Sequence, residues 1–133
     1  MSSSQLTLKL LAAEMAVARL PATAAPPPWA TTGDFFAIIR TPDELSIIQT
    51  SDAVPGDVLS ERGWRCLQVV GPLEFELVGI LASLLNPLAA AGVSVFVFST
   101  YDTDYLMVKT SHLALTLATL QEAGMVILEE KEA

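Results

Sequence analysis

Two carboxylates and a series of hydroxyls fall together in Ser99-Thr100-Tyr101-Asp102-Thr103-Asp104-Tyr105. Carboxylates can hold an ammonium or guanidinium group, and hydroxyls can donate or accept beside them. Asp102 and Asp104 are two residues apart. In an extended chain they point the same way; in a turn, Asp102 and Thr103 instead bond nearby backbone amides, and Ser99 and Thr100 finish strand ends. Both readings follow from the residue types. Asp104, which leads straight into the apolar run Leu106-Met107-Val108, is the less expected residue for a plain turn.

Other chemistry finds less support. The Asp102-x-Asp104 pair has no third carboxylate, basic residue or glycine-rich loop beside it, as a metal or phosphoryl site requires. Ser99, His112 and Asp102 lack a G-x-S-x-G elbow. His112 reads as a surface residue at a helix start. Cys66, the one cysteine, reads as core on a strand. Zinc lacks ligands. No catalytic residues, metal or cofactor are expected.

The elements that position the loop follow from periodicity. Val93 to Phe98 is an apolar run of β-branched and aromatic residues, the pattern of a buried strand. Tyr105 to Lys109 is the next strand. Before them, Leu77, Ile80, Leu81, Leu84, Leu85 and Leu88 mark one face of a helix, with Pro87 in its last turn and Gly92 as its stop. After them, Thr110 or Ser111 caps a second helix with the face Leu113, Leu117 and Leu120, ended by Gly124. Met125 to Leu128 is a last short strand, and Trp64 to Val70 the first of this half. The half therefore reads βαββαβ.

The N-terminal half reads as four strands with helices reduced to turns. They are Leu6 to Leu10, Met15 to Leu20 after a turn at Ala12 to Glu14, Phe35 to Arg40, and Leu45 to Thr50. Thr41-Pro42-Asp43-Glu44 makes a hairpin turn, with Pro42 presetting φ and Asp43 able to bond the backbone. Pro26-Pro27-Pro28-Trp29 cannot lie in a sheet interior; Trp29 reads as a lid on the small core. The boundary is placed in the polar stretch before Trp64, giving 1–63 and 64–133. The expected class is α+β, a mainly antiparallel sheet with helices on one face.

The chain of 133 residues has 52% hydrophobic residues and a formal net charge of −8. That suffices for a real core. It disfavours nucleic acid and anionic membrane surfaces, which need clustered Lys and Arg. The N-terminal stretch is too short and charged to span a bilayer or to serve as a secretory signal. With its single cysteine, the protein reads as cytoplasmic.

Several stretches carry a resemblance. They are Gly71-Pro72-Leu73-Glu74-Phe75, Leu81-Ala82-Ser83, Ala91-Gly92-Val93-Ser94-Val95-Phe96, and above all Ser99 through Val108. Around Trp29, Arg40-Thr41-Pro42-Asp43-Glu44-Leu45-Ser46 and Glu61-Arg62-Gly63-Trp64 add to it. The sequence resembles the ACT domain family, in particular the CASTOR-like arginine-sensor subgroup in its short bacterial form. The resemblance implies ferredoxin-like βαββαβ units in tandem, an amino-acid effector at an interface between units, and a homodimer. It implies a ligand-binding set of Gly71, Leu73, Ser99, Thr100, Tyr101, Asp102, Thr103 and Asp104. By their chemistry, backbone amides at the helix start after Gly71 can hold a carboxylate, whereas Glu74 and Glu76 there would repel one or attract a cationic side chain. Two functions are open: an amino-acid sensor, and an assembly module without an effector.

Overall fold

The computed structural model describes residues 6–70 and 79–131. Gly71, Leu73 and the expected helix start at Leu77 lie outside the described residues. The chain divides into two compact units, Ala13–Trp64 and Met1–Ala12 with Arg65–Ala133.

The first strand, β1, runs unbroken over Thr7–Leu20, where the sequence suggests two strands and a turn. Ala12-Ala13-Glu14 contains none of the residues that stabilise a reversal. The remaining strands are β2 (Ala37–Arg40), β3 (Leu45–Thr50), β4 (Ser60–Val69), β5 (Phe96–Ser99), β6 (Asp104–Lys109) and β7 (Val126–Glu129). The helices are α1 (Ile80–Ala90) and α2 (Leu113–Glu122). The boundary expected before Trp64 falls inside β4, and the first twelve residues group with the C-terminal unit.

In the Ala13–Trp64 unit, β3 pairs antiparallel with β1 from Met15↔Thr50 to Leu20↔Leu45 and with β2 on its other side. The β2–β3 turn closes through the Thr41 amide donating to the Glu44 carbonyl at 2.9 Å. The Thr41 hydroxyl, not the Asp43 carboxylate, accepts the Asp43 and Glu44 amides, each at 3.1 Å. Ala16, Ala18, Ala30, Leu45, Ile47 and Val54 form the core, with Trp29 packed against it. Trp29 sits in a 3-10 turn, Pro28–Thr31. That turn is held by a side chain the sequence did not single out. Gln49, 1% exposed, shares the core face of β3 with Leu45 and Ile47. Its Nε2 donates to the carbonyls of Trp29 at 3.1 Å and Thr32 at 3.0 Å, and its Oε1 accepts the Thr50 amide at 2.8 Å.

In the other unit the strand order is β7, β1, β4, β6, β5. The first part of β1 lies between β4 and β7, pairing parallel with β7 from Thr7↔Val126 to Leu10↔Glu129. Leu8, Leu10, Leu67, Val69, Leu106 and Val108 point from the strands onto Leu84 and Leu88 of α1 and Leu120 of α2. Leu113 and Leu117 add their partly buried faces, as the spacing predicts. The predicted Thr110 or Ser111 cap is not formed. Thr110–His112 make a 3-10 turn that leads directly into α2 without a side-chain cap. Buried Thr116 donates instead to the His112 carbonyl at 2.8 Å. α1 carries Pro87 without ending there; the ring removes one N–H donor from the ladder, and the helix closes beyond it with the Ala91 amide donating to the Pro87 carbonyl at 3.1 Å.

Truncating Leu84, fully buried against the sheet, to Ala is expected to cost about 2–5 kcal/mol. Gln49→Ala is expected to cost about 1–3 kcal/mol by stranding buried backbone groups. Leu115→Ala, at a site 45% exposed, should stay within about 0.5 kcal/mol. Urea unfolding of the three variants checks this ranking.

Candidate functional site

The polar run from Ser99 forms the closed end of the β5–β6 hairpin. The register pairs Phe96 with Met107, Phe98 with Tyr105 and Ser99 with Asp104. Alternation sends Val97, Leu106 and Val108 to the helix-covered core and Phe96, Phe98, Tyr105 and Met107 to the other face. There Phe98 stacks on Tyr105 with ring centroids 5.1 Å apart, and Phe96 meets Phe98 edge-on at 6.5 Å. This is a cross-strand aromatic ladder.

At the tip the Thr100 amide donates to the Thr103 carbonyl at 2.8 Å. The Thr103 amide donates back to the Thr100 hydroxyl at 3.3 Å. Tyr101 and Asp102 are thereby pushed outward, Tyr101 to 82% exposure. Thr103 turns inward to 5% exposure, and its hydroxyl donates to the Val69 carbonyl at 2.6 Å. Val69 precedes Gly71 by two residues, so this bond ties the loop to the strand end from which the other predicted ligand stretch departs. No sequence pattern announces a pair separated by 34 positions.

The two aspartates do not act as a pair. Asp102 is on the exposed turn, whereas Asp104 opens β6 and is half-buried. One oxygen of Asp104 accepts the Ser99 hydroxyl at 2.6 Å, a short bond of the kind a charged acceptor makes. That bond fixes the carboxylate at the strand end. The structure thus brings together Ser99, Thr100, Thr103 and Asp104 and leaves Tyr101 and Asp102 at the rim. His112 follows the far end of β6, roughly 17 Å along the strand from Asp104 at ~3.4 Å per residue. The Ser99–His112–Asp102 arrangement is not assembled. Among the described residues no cluster of His, Cys, Asp and Glu has the makings of a metal site.

Behind the loop, Cys66 is fully buried on β4, and burial pushes its thiol up to about 12. Burial, then the nearby Cys66 and Asp102, push the Tyr105 phenol above its ordinary value. Tyr105 is therefore protonated across the physiological range and presents a neutral hydroxyl next to the loop, a role its position in the run did not reveal.

With this geometry the relatives can be placed. An ACT domain model matches residues 59–122, and a second model, of an N-terminal domain, matches residues 13–57. The chain belongs to the ACT domain family. It is 33% identical over 108 residues to the cytosolic arginine sensor for mTORC1 subunit 1 of Homo sapiens, a match covering 75% of this chain. The matched region spans about a third of that relative's length, 32%. A crystal structure of an Agrobacterium tumefaciens protein superposes with TM-score 0.90 at 41% identity, over 96% of both chains. The fold alone is shared with the regulatory subunit of aspartate kinase from Thermus thermophilus, at TM-score 0.55 and 12% identity over 86% of this chain and 93% of that one.

Two outcomes follow from the site. Thr103→Val keeps shape but removes the bond to Val69, and should cost about 1–3 kcal/mol in urea unfolding. The raised Cys66 value means the neutral thiol stabilises the fold below about pH 9, its unfolded range. That contribution is lost as pH rises toward 12, and Tyr105 titration adds to the loss. Unfolding curves from pH 8 to 11 should show falling stability, with a shallower slope in Cys66→Ala.

Proposed function

We propose that this protein is a regulatory module that binds an amino acid and performs no catalysis or cofactor chemistry itself. The carrying observation is the Asp104 carboxylate, fixed by Ser99 at the end of a hairpin that Thr103 anchors to Val69. Its remaining oxygen can accept the ammonium of an α-amino acid or a cationic side chain. Backbone amides of the stretch containing Gly71 and Leu73 supply donors for the effector's carboxylate. Thr100 and the Tyr101–Asp102 rim close the site, and the second half of the site comes from another ACT unit, in a homodimer. Membership of a family that includes a cytosolic arginine sensor supports this reading. Among the described residues no helix is long and apolar enough to cross a membrane. We place the protein in the cytoplasm. Its tandem organisation, an Ala13–Trp64 unit and a unit of Met1–Ala12 with Arg65–Ala133, gives the sheet two places to meet a partner unit.

The competing reading is a pure assembly module. It is favoured by the same Ser99–Asp104 bond, because a carboxylate satisfied within its own hairpin can serve as a turn lock. Calorimetric titration with the twenty standard amino acids separates the two. Wild type should bind one or a few of them. Asp104→Ala should weaken that binding by at least about tenfold, the effect of losing a charged hydrogen bond, while keeping the fold. No binding by wild type would leave the assembly reading standing; equal affinity in the variant would keep the effector and remove Asp104 from its site.

A further inference from the structure

The outer face of the helix layer is nearly free of charge. Charged residues make up 17% of the chain, yet α1 contains none and α2 only Glu122, at its last position. A helix that covers a sheet buries one stripe and turns charged residues to water on the other. Here the exposed positions include Ala82, Asn86 and Ala89 on α1 and Ala114, Leu115 and Ala118 on α2. The sheet is already covered by Leu84, Leu88 and Leu120, so the apolar outer face answers to something other than that core. A helix that is apolar all round is one that is covered all round.

Two features make this face complementary to itself. The first is relief. α1 and α2 pack against each other, and where Pro87, Ala90 and Ala91 meet Thr119 and Ala123 the small side chains leave a hollow of about 410 Å³. Leu115, 45% exposed, projects from the same ridge of α2 as Thr119, one turn earlier. One face thus carries a knob and a hole, with Ala118 between them. The second feature is charge. The chain has a net charge of −8, so two copies repel each other wherever carboxylates meet. On the helix face they can approach without that repulsion, with exposed Glu122 left at the wet rim of the hollow. A charged partner surface would lose its hydration against alanine and leucine and gain no counter-charge. Area is sufficient as well. Helices of 11 and 10 residues, side by side, present roughly 600 Å² of accessible surface per copy, or about 1,200 Å² for two, the lower end of specific interfaces.

We infer that the α1–α2 face is a two-fold interface between copies of this chain. Leu115 of each copy enters the hollow of the other, and Ala118, midway between knob and hole, meets its own equivalent near the axis. This names a surface for the homodimer of the proposed function. It takes nothing else from that reading, since no effector takes part.

Sedimentation equilibrium of the full chain over a micromolar concentration series, with no amino acid added, tests the interface. Wild type is expected to be a dimer. Ala118→Glu sets two like charges against each other at the axis and should weaken the dimer by at least about tenfold; Ala118→Lys should do the same. Both place a good helix former at an exposed site, so circular dichroism should show the native fold. An equimolar mixture of the two variants should regain the dimer, because opposite charges then meet. Leu115→Ala, nearly neutral for the fold of a single copy, should weaken the dimer too. A monomeric wild type, a dimer unmoved by Ala118→Glu, or a mixture that stays monomeric would each overturn the interface. These variants leave the hairpin untouched, so a calorimetric failure to find an amino acid bears on the effector reading alone.

Discussion

A single strand, β1, changes partners midway along its length, and the ladder on either side depends on how that change is made. Over Thr7–Leu10 it runs parallel to β7, and over Met15–Leu20 antiparallel to β3. Between those stretches β1 passes from one partner to the other through Ala13 and Glu14, which are exposed. The side chain of Glu130 fills the gap: its Oε1 accepts the Ala12 amide at 2.9 Å, while its own amide donates to Leu10 at 2.8 Å. Arg65 donates to the Leu11 carbonyl at 3.0 Å from the β4 side. Val69, at the end of β4, supplies the carbonyl that Thr103 needs.

Local chemistry is what the sequence displays well. The 3–4 spacing of leucines locates α1 and α2, and Leu84, Leu88 and Leu120 are fully buried as that spacing requires. The Thr41–Glu44 turn and the hairpin between Val97 and Leu106 are equally legible, since turn formers sit between β-branched runs. The resemblance of Ser99 to Val108 to the ACT family identifies the fold. What stays hidden is long-range pairing. Nothing local distinguishes Ala12-Ala13-Glu14 as strand from the same residues as turn, because the decision lies with β7 and β3. Gln49 looks like one more residue of a strand until Trp29 and Thr32 come within reach. The Thr103–Val69 bond is equally a property of the tertiary structure.

The candidate site shows the same division. Its residue types point to cation binding, but their geometry separates them into roles. Thr103 and Thr100 build the turn, Ser99 fixes Asp104, and Tyr101 and Asp102 form a rim. Only Asp104 combines partial burial with a carboxylate aimed from a rigid strand end, the kind of placement from which a scaffold can present a binding group. The aromatic ladder of Phe96, Phe98 and Tyr105 stiffens that strand end, and Cys66 beneath it is inert as a buried thiol.

The central claim, that an amino acid is the effector, is tested most directly by thermal unfolding of the whole chain with each standard amino acid at millimolar concentration. Ligand at about 100 times its dissociation constant adds ~2.7 kcal/mol, which for a chain of this size raises Tm by several degrees. Such a rise is expected for one or a few amino acids and none for the others. A flat response across all of them would contradict it.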